Sequence, residues 1–343
     1  MPITANRIPS LDGLRALSIL LVIIGHMHFA FLRLSIFGVH IFFVISGYLI
    51  TTLLQTERRQ NGSISIRAFY GRRCFRILPA AYVYILVIAL LSPASRSGLL
   101  YAATYTVSYH SADIPILFQH LWSLSVEEQF YVLWPIALAV GFRYRALIAW
   151  SAMGAAALFR LIVALIPLQS TVAYMHFSFP GTLDSIAAGC LLAIYEPRIK
   201  QRFAWMAQAP AIAIALPFTA ETLGGLWWGD SRVLVVRCLS VAWGVVPLLI
   251  ALWIFLLVQR RDWIFNNPLA CSIGVLSYSL YLWQQPFTVE YANHKFINFV
   301  LLVSCAMLSY ALVERPMLKL GASLRAQRRL RIGVASVPLA NIE

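Results

Sequence analysis

Charged side chains are scarce in this chain, and acidic ones scarcer. Only 12% of its 343 residues are charged, with 13 carboxylates against 27 lysines and arginines. Soluble domains carry about a quarter charged residues, so this composition does not furnish a water-facing surface. The five cysteines, Cys74, Cys190, Cys238, Cys271 and Cys305, are odd in number and scattered, with no CxxC and no Cys/His cluster. That pattern points to no disulfide framework and no metal site, and the thiols read as small apolar side chains. Also missing are internal repeats, a long soluble stretch, and the two-residue alternation of a transmembrane barrel. No basic patch is interleaved with aromatics, so the net charge of +14 does not point to nucleic acid.

What the chain has is apolar length. It is 60% hydrophobic, with a mean hydropathy of +0.76, and several runs reach the ~20 residues that cross a ~30 Å hydrocarbon core. The class is an all-α, polytopic membrane protein forming a single domain over residues 1–343. Ten spans are expected, at about 12–31, 37–55, 77–93, 125–142, 146–166, 177–195, 204–220, 234–258, 271–289 and 297–314. The first resembles a signal peptide superficially, but Arg15 interrupts it and no convincing cleavage site follows, so it is kept as a span. With ten spans, twenty basic residues fall on one side and four on the other; adding 98–110 as an eleventh destroys that asymmetry. The positive-inside rule therefore favours ten spans with both termini cytoplasmic, and leaves residues 94–124 as an outer, amphipathic segment.

Within the first span, Arg15 and His26 are eleven residues apart, about three turns, so they share a helix face some ~16 Å apart along the axis. Ionisable groups at membrane depth are costly unless they face protein or water, which favours a functional pair. The residues alone leave a second reading open, with Arg15 snorkelling to the headgroups and His26 making one interhelical hydrogen bond. Residues 56–76 form the longest cytoplasmic connection and carry six arginines against one glutamate. They suit both a headgroup-binding, topogenic loop and a clamp for a phosphorylated ligand, with Arg72, Arg73 and Arg76 just before Pro79 at the next span. The basic tail after residue 316 is expected to be an ordinary juxtamembrane segment.

Six strings in order, IPSLDGLRALSILLVIIGH, FGVHIFFVISGYLITTLL, FYGRRCFRILPA, HLWSLSVEEQFYVLWP, LSYSLYLW and YALVERP, make the chain resemble membrane-bound acyltransferase family 3 from about residue 8 to residue 316. The resemblance implies ten spans and acetyl-CoA, or another acyl-CoA, as a cytosolic donor. It places Arg15 with the donor, beside Arg72, Arg73 and Arg76, and makes His26 the catalytic base. Chemically this suits imidazole, because a hydroxyl is a poor nucleophile at neutral pH and needs a base near its proton. An acyl-histidine intermediate is the other route open to the same residue.

Glu127 and Glu128 stand at the start of the fourth span. They suit helix-start chemistry with Ser125 as cap, or a carboxylate that orients His26; the match of the whole string favours the second. Trp122 and Trp283 can stack on a sugar ring, although interfacial tryptophans are more often belt residues. Asp184 needs an intramembrane partner, Arg15 or Arg160. Glu314-Arg315-Pro316 is expected to end the last span, and Ser46-Gly47-Tyr48 to let the second helix pack closely. Three positions depart from the family pattern: His40 in place of aspartate, Thr182 in place of arginine, and Gln284 in place of histidine. His40 can either join His26 in a two-histidine site or serve structurally. The implied activity is O-acylation of a cell-surface saccharide, such as lipopolysaccharide O-antigen or an exopolysaccharide, on a lipid-linked precursor in the bacterial inner membrane. A small metabolite of macrolide type as acceptor, or transport of an acyl group or lipid-linked sugar, are the alternatives.

Overall fold

The computed structural model describes residues 8–27, 32–110, 114–165, 177–202, 244–260, 263–288 and 294–331. Among these there is no strand. Ten helices are numbered here: α1 (Pro9–Met27), α2 (Leu32–Asn61), α3 (Ile66–Leu91), α4 (Leu121–Gly141), α5 (Arg145–Leu165), α6 (Phe179–Arg202), α7 (Val245–Arg260), α8 (Pro268–Thr288), α9 (Lys295–Ser309) and α10 (Arg315–Arg331). Five helical stretches among the described residues are long and apolar enough to cross a membrane. The described parts of nine of the ten expected spans fall on these helices; the one at 204–220, and residues 234–243 of the one at 234–258, lie outside the described residues.

The connection rich in arginine is not a loop. α2 runs on to Asn61 and α3 begins at Ile66, capped by Ser65, whose hydroxyl accepts from the Ala68 amide. The arginines thus stand on the projecting ends of two helices, which arginine, a good helix former, readily extends beyond an apolar span. Residues 94–110 and 114–120 form short helical turns and no span; the Ala103 and Leu117 carbonyls accept from the helix hydroxyls of Tyr82 and Tyr84. Nor does the last span end at Pro316. Proline cannot donate to the carbonyl four residues back, and a π turn over Tyr310–Glu314 absorbs the mismatch and carries the helix on into α10.

Close packing sets the register. A Cβ on Gly274 would lie 1.9 Å from the Asp12 carbonyl oxygen, and one on Gly13 2.1 Å from that of Phe265, so α1 and α8 start side by side. The Ser10 to Asn266 hydrogen bond ties the same ends. Gly47 abuts the Ile186 carbonyl and Gly189 the Val44 carbonyl, as expected of the Ser46-Gly47-Tyr48 stretch, so α2 and α6 run alongside one another. Without a hydrophobic force between helices in lipid, backbone approach at glycine and interhelical hydrogen bonds carry the association. Trp134 to Thr51 and Tyr48 to Glu196 are two such bonds.

Gly274→Val is therefore expected to force α1 and α8 apart and abolish the monodisperse peak in size-exclusion chromatography. Gly71→Ala, whose Cβ would meet nothing within 4 Å, should leave the peak intact. A monodisperse Gly274→Val protein would refute this register.

Candidate active site

A cavity of about 110 Å³ opens between α1, α2, α3, α4, α8 and the π turn after α9. Arg15, Arg73 and Arg76 line it, together with Asp12, Glu127 and Glu314. The formal charges match in number, but the partners do not. Asp12 pairs with Arg15 at 3.5 Å. Glu127 accepts from the Ser46 hydroxyl at 2.6 Å, and Glu314 from Ser279 at 2.9 Å. Arg73 and Arg76 make no salt bridge among the described residues; the Arg73 guanidinium lies over the Tyr131 ring, 4.8 Å from its centroid. Two guanidiniums thus face the cavity near carboxylates but in no salt bridge with them among the described residues. A guanidinium suits phosphate oxygens through its planar fork of donors.

Arg72, the third arginine of the expected clamp, turns away to Glu57 at 3.2 Å. Glu57 also accepts from the Ser65 amide, so this pair fastens the α2–α3 turn and does not face the cavity.

Ser123 and Tyr281, whose hydroxyls are 2.6 Å apart, also line the cavity, and His26 does not. The Tyr281 hydroxyl also donates to the His120 carbonyl. Beyond this bond lies His120, within electrostatic reach of His26. His26 itself is half-buried, and its Nδ1 is 2.8 Å from the Val22 carbonyl oxygen. A carbonyl only accepts, so Nδ1 carries the proton and Nε2 holds the lone pair. That is the tautomer a general base requires, with its orientation supplied by the helix backbone.

The carboxylates are placed differently from expectation. α4 begins at Leu121, not near Ser125. Ser125 is inside the helix, donating to the Leu121 carbonyl at 2.9 Å, and caps nothing. Glu127 and Glu128 therefore sit about 9–11 Å down the helix axis from its start, level with Ser46 on the arginine side. Glu127 accepts hydrogen bonds from Ser46 and Tyr131 and its charged neighbours are Arg73 and Arg15, so the structure does not bring it to His26. One oxygen of Glu128 is buried with no hydrogen-bond partner among the described residues. Tyr105, between the spans, has a phenol held above its ordinary pKa by burial and by the Glu128 carboxylate. Its backbone is left-handed at φ 55°, a turn held by the Gln129 amide donating to its carbonyl.

His40 is not among the cavity residues. Its Nδ1 is 3.2 Å from the Ser185 hydroxyl, between α2 and α6, which is the structural alternative. Asp184 pairs with Arg160 at 2.8 Å, not with Arg15, and both side chains are almost wholly buried. Trp122 is buried against the edges of Phe43 and Phe177, and Trp283 packs edge-on to Tyr84. Both rings meet interior aromatic side chains. Leu318 of α10 lines the cavity and Gly321 sits on the Phe75 ring, so the basic tail begins by covering the arginine end.

Sequence reasoning missed Tyr281, His120, Gln285 and Ser123. For Tyr281, His120 and Ser123 the only signal was membership of the matched strings, which marks residues without saying what they face; Gln285 lies two residues beyond the last residue of LSYSLYLW and had none.

A model described as an acyltransferase domain matches residues 8–313. A Staphylococcus aureus (strain COL) protein provisionally named an O-acetyltransferase is 30% identical over 92% of this chain and 58% of its own length. A Bacillus subtilis (strain 168) protein provisionally named a peptidoglycan O-acetyltransferase is 29% identical over 90% of this chain and 54% of its own. The Listeria monocytogenes peptidoglycan O-acetyltransferase is 37% identical over 39% of this chain and 24% of its own. The chain thus spans a little over half the length of the first of these relatives. No solved structure matches.

Proposed function

Because this chain belongs to acyltransferase family 3, we propose that it is a multi-pass O-acyltransferase of the bacterial plasma membrane. It moves an acyl group, acetyl in the simplest case, from acyl-CoA to a hydroxyl of a surface saccharide. The arginine end faces the cytosol, in line with the distribution of basic residues along the chain. The names of the Bacillus and Listeria relatives set peptidoglycan beside O-antigen and exopolysaccharide as acceptors of this class.

The observation that carries this reading is the pair of guanidiniums, Arg73 and Arg76, that line the cavity without a salt bridge among the described residues, on the same cavity as Arg15 of the helix that carries His26. Arg73 and Arg76, with Arg15 behind them, would hold the donor's phosphates. Glu127, fixed by Ser46, lies within electrostatic reach of Arg73. The Arg15 to His26 separation of ~16 Å is of the order of an extended pantetheine arm. The donor supplies an activated thioester; the protein supplies its orientation and the base.

His26 Nε2 takes the acceptor's proton as the hydroxyl oxygen attacks the thioester carbonyl carbon. The C–S bond breaks, an ester forms, and the His26 imidazolium returns the proton to the departing thiolate.

Isothermal titration of the full chain in nanodiscs with acetyl-CoA tests the donor half. The Arg73→Ala/Arg76→Ala protein is expected to bind at least about tenfold more weakly, since charge-assisted hydrogen bonds contribute ~1.5–3 kcal/mol each. Raised salt should narrow the difference. Folded wild-type protein that binds no acyl-CoA would overturn the assignment and favour transport.

A further inference from the structure

α8 carries a polar stripe that outruns the cavity. Ser277 and Tyr281 line the cavity wall, and one to two turns further Gln284, Gln285 and Thr288 are buried on the same side, at the spacing of one helix face. Thr288 is satisfied by the Gln284 carbonyl at 3.1 Å. The glutamines are not satisfied. Gln284 is 0% exposed and Gln285 3%. Neither the amide nitrogen nor the oxygen of Gln284, nor the Gln285 side-chain oxygen, has a hydrogen-bond partner among the described residues.

The same holds for two neighbours. His120 places Nε2 3.1 Å from the Leu282 carbonyl, so that nitrogen donates and Nδ1 is an acceptor, buried and unpartnered. The Trp283 indole N–H is likewise buried without a partner. His120 and Trp283 both pack edge-on to Tyr84, with ring centroids 5.4 and 5.3 Å from it. Buried polar groups are nearly always paired, and exceptions on three consecutive residues of α8 and on the histidine bonded to the carbonyl of Leu282 ask for a ligand.

Its position is set by two further observations. His120 is within electrostatic reach of His26. α1 and α8 start together at Asp12 and Gly274, so equal advance along both puts Gln284 beside Val22, one turn before His26.

We infer that His120, Gln284, Gln285 and Trp283 form the acceptor subsite, and that it takes an uncharged, polyhydroxylated ring. The inference rests on the acyltransferase reading for its link to His26. The chemistry of the shell selects the class. It presents three acceptor atoms and two donor atoms, the mixture that vicinal hydroxyls answer, since each O–H both gives and receives. α8 has no charged residue from Pro268 to Thr288, and none of these four residues lines the cavity where the arginines and carboxylates stand. A carboxylate or ammonium on the acceptor would be desolvated here without a counter-charge.

The test uses the full chain in nanodiscs with radiolabelled acetyl-CoA. Three probes are compared: diacetylchitobiose (neutral), its fully de-N-acetylated form (cationic) and methyl glucuronide (anionic). Gln284→Leu and Gln285→Leu are expected to raise the KM for the neutral sugar about tenfold each, more than they lower kcat. They should also raise the Tm of the sugar-free protein by about 2–4 °C, because an unpaired buried amide is removed. A purely structural glutamine would lower Tm instead. Unchanged KM with no sugar-dependent shift in Tm, as when only water fills the shell, overturns the subsite; so does a preference for either charged probe. Where the neutral sugar raises the Tm of wild type but not of Gln284→Leu and no acetyl group moves, the subsite stands and the acyltransferase reading alone falls.

Discussion

Replacing His26 by alanine is expected to lower acyl transfer by about 10²–10⁴-fold, the range of a positioned general base. Acetyl-CoA should still bind, because the arginines that face the cavity lie about three turns away. His26→Gln separates the base from a mere hydrogen-bonding group. Glutamine can still meet the Val22 carbonyl that now receives His26 Nδ1, yet it has no basic nitrogen at neutral pH. Both variants should be equally inactive in a single-turnover assay with radiolabelled acetyl-CoA and saccharide. A glutamine variant keeping more than about a tenth of wild-type transfer would refute the base.

Asp184→Ala is expected to be the most damaging single change to the fold. The Arg160 and Asp184 side chains are 1% and 2% exposed, and Arg160 also donates to the Gly181 carbonyl at 2.6 Å. Removing one member of such a pair leaves a buried, uncompensated charge and costs about 3–5 kcal/mol. The variant should be recovered at low yield and with a sharply lowered Tm. The Arg160→Met/Asp184→Leu double variant removes both charges and should regain most of that loss. A single variant with the wild-type melting curve would show that α5 and α6 are not held by this pair.

The helical class, the rejection of residues 98–110 as a span and the placing of Arg15 and His26 on one helix were legible because they depend on local quantities. Apolar run length, basic-residue asymmetry and helical period need no partner. The fate of each arginine was not legible. Arg72 and Arg73 are adjacent in sequence, but neighbouring helix positions point about 100° apart, so one meets Glu57 and the other the cavity. Glu127 shows the same limit. Starting α4 four residues before Ser125 moves it a full turn deeper, to Ser46 and the arginines. The extension of α9 into α10 was hidden because proline usually stops a helix, and a π turn is a response to strain that composition does not announce.

Taken alone, the amino-acid sequence determined that this is a multi-pass helical membrane protein of acyltransferase family 3, since hydropathy and ordered motifs are properties of the chain itself. Tertiary structure decided which charges are neutralised, which are left facing a cavity, and which buried polar atoms are left over. Pairing is a matter of distance between helices, and that distance is set by a few glycines where one backbone can touch another.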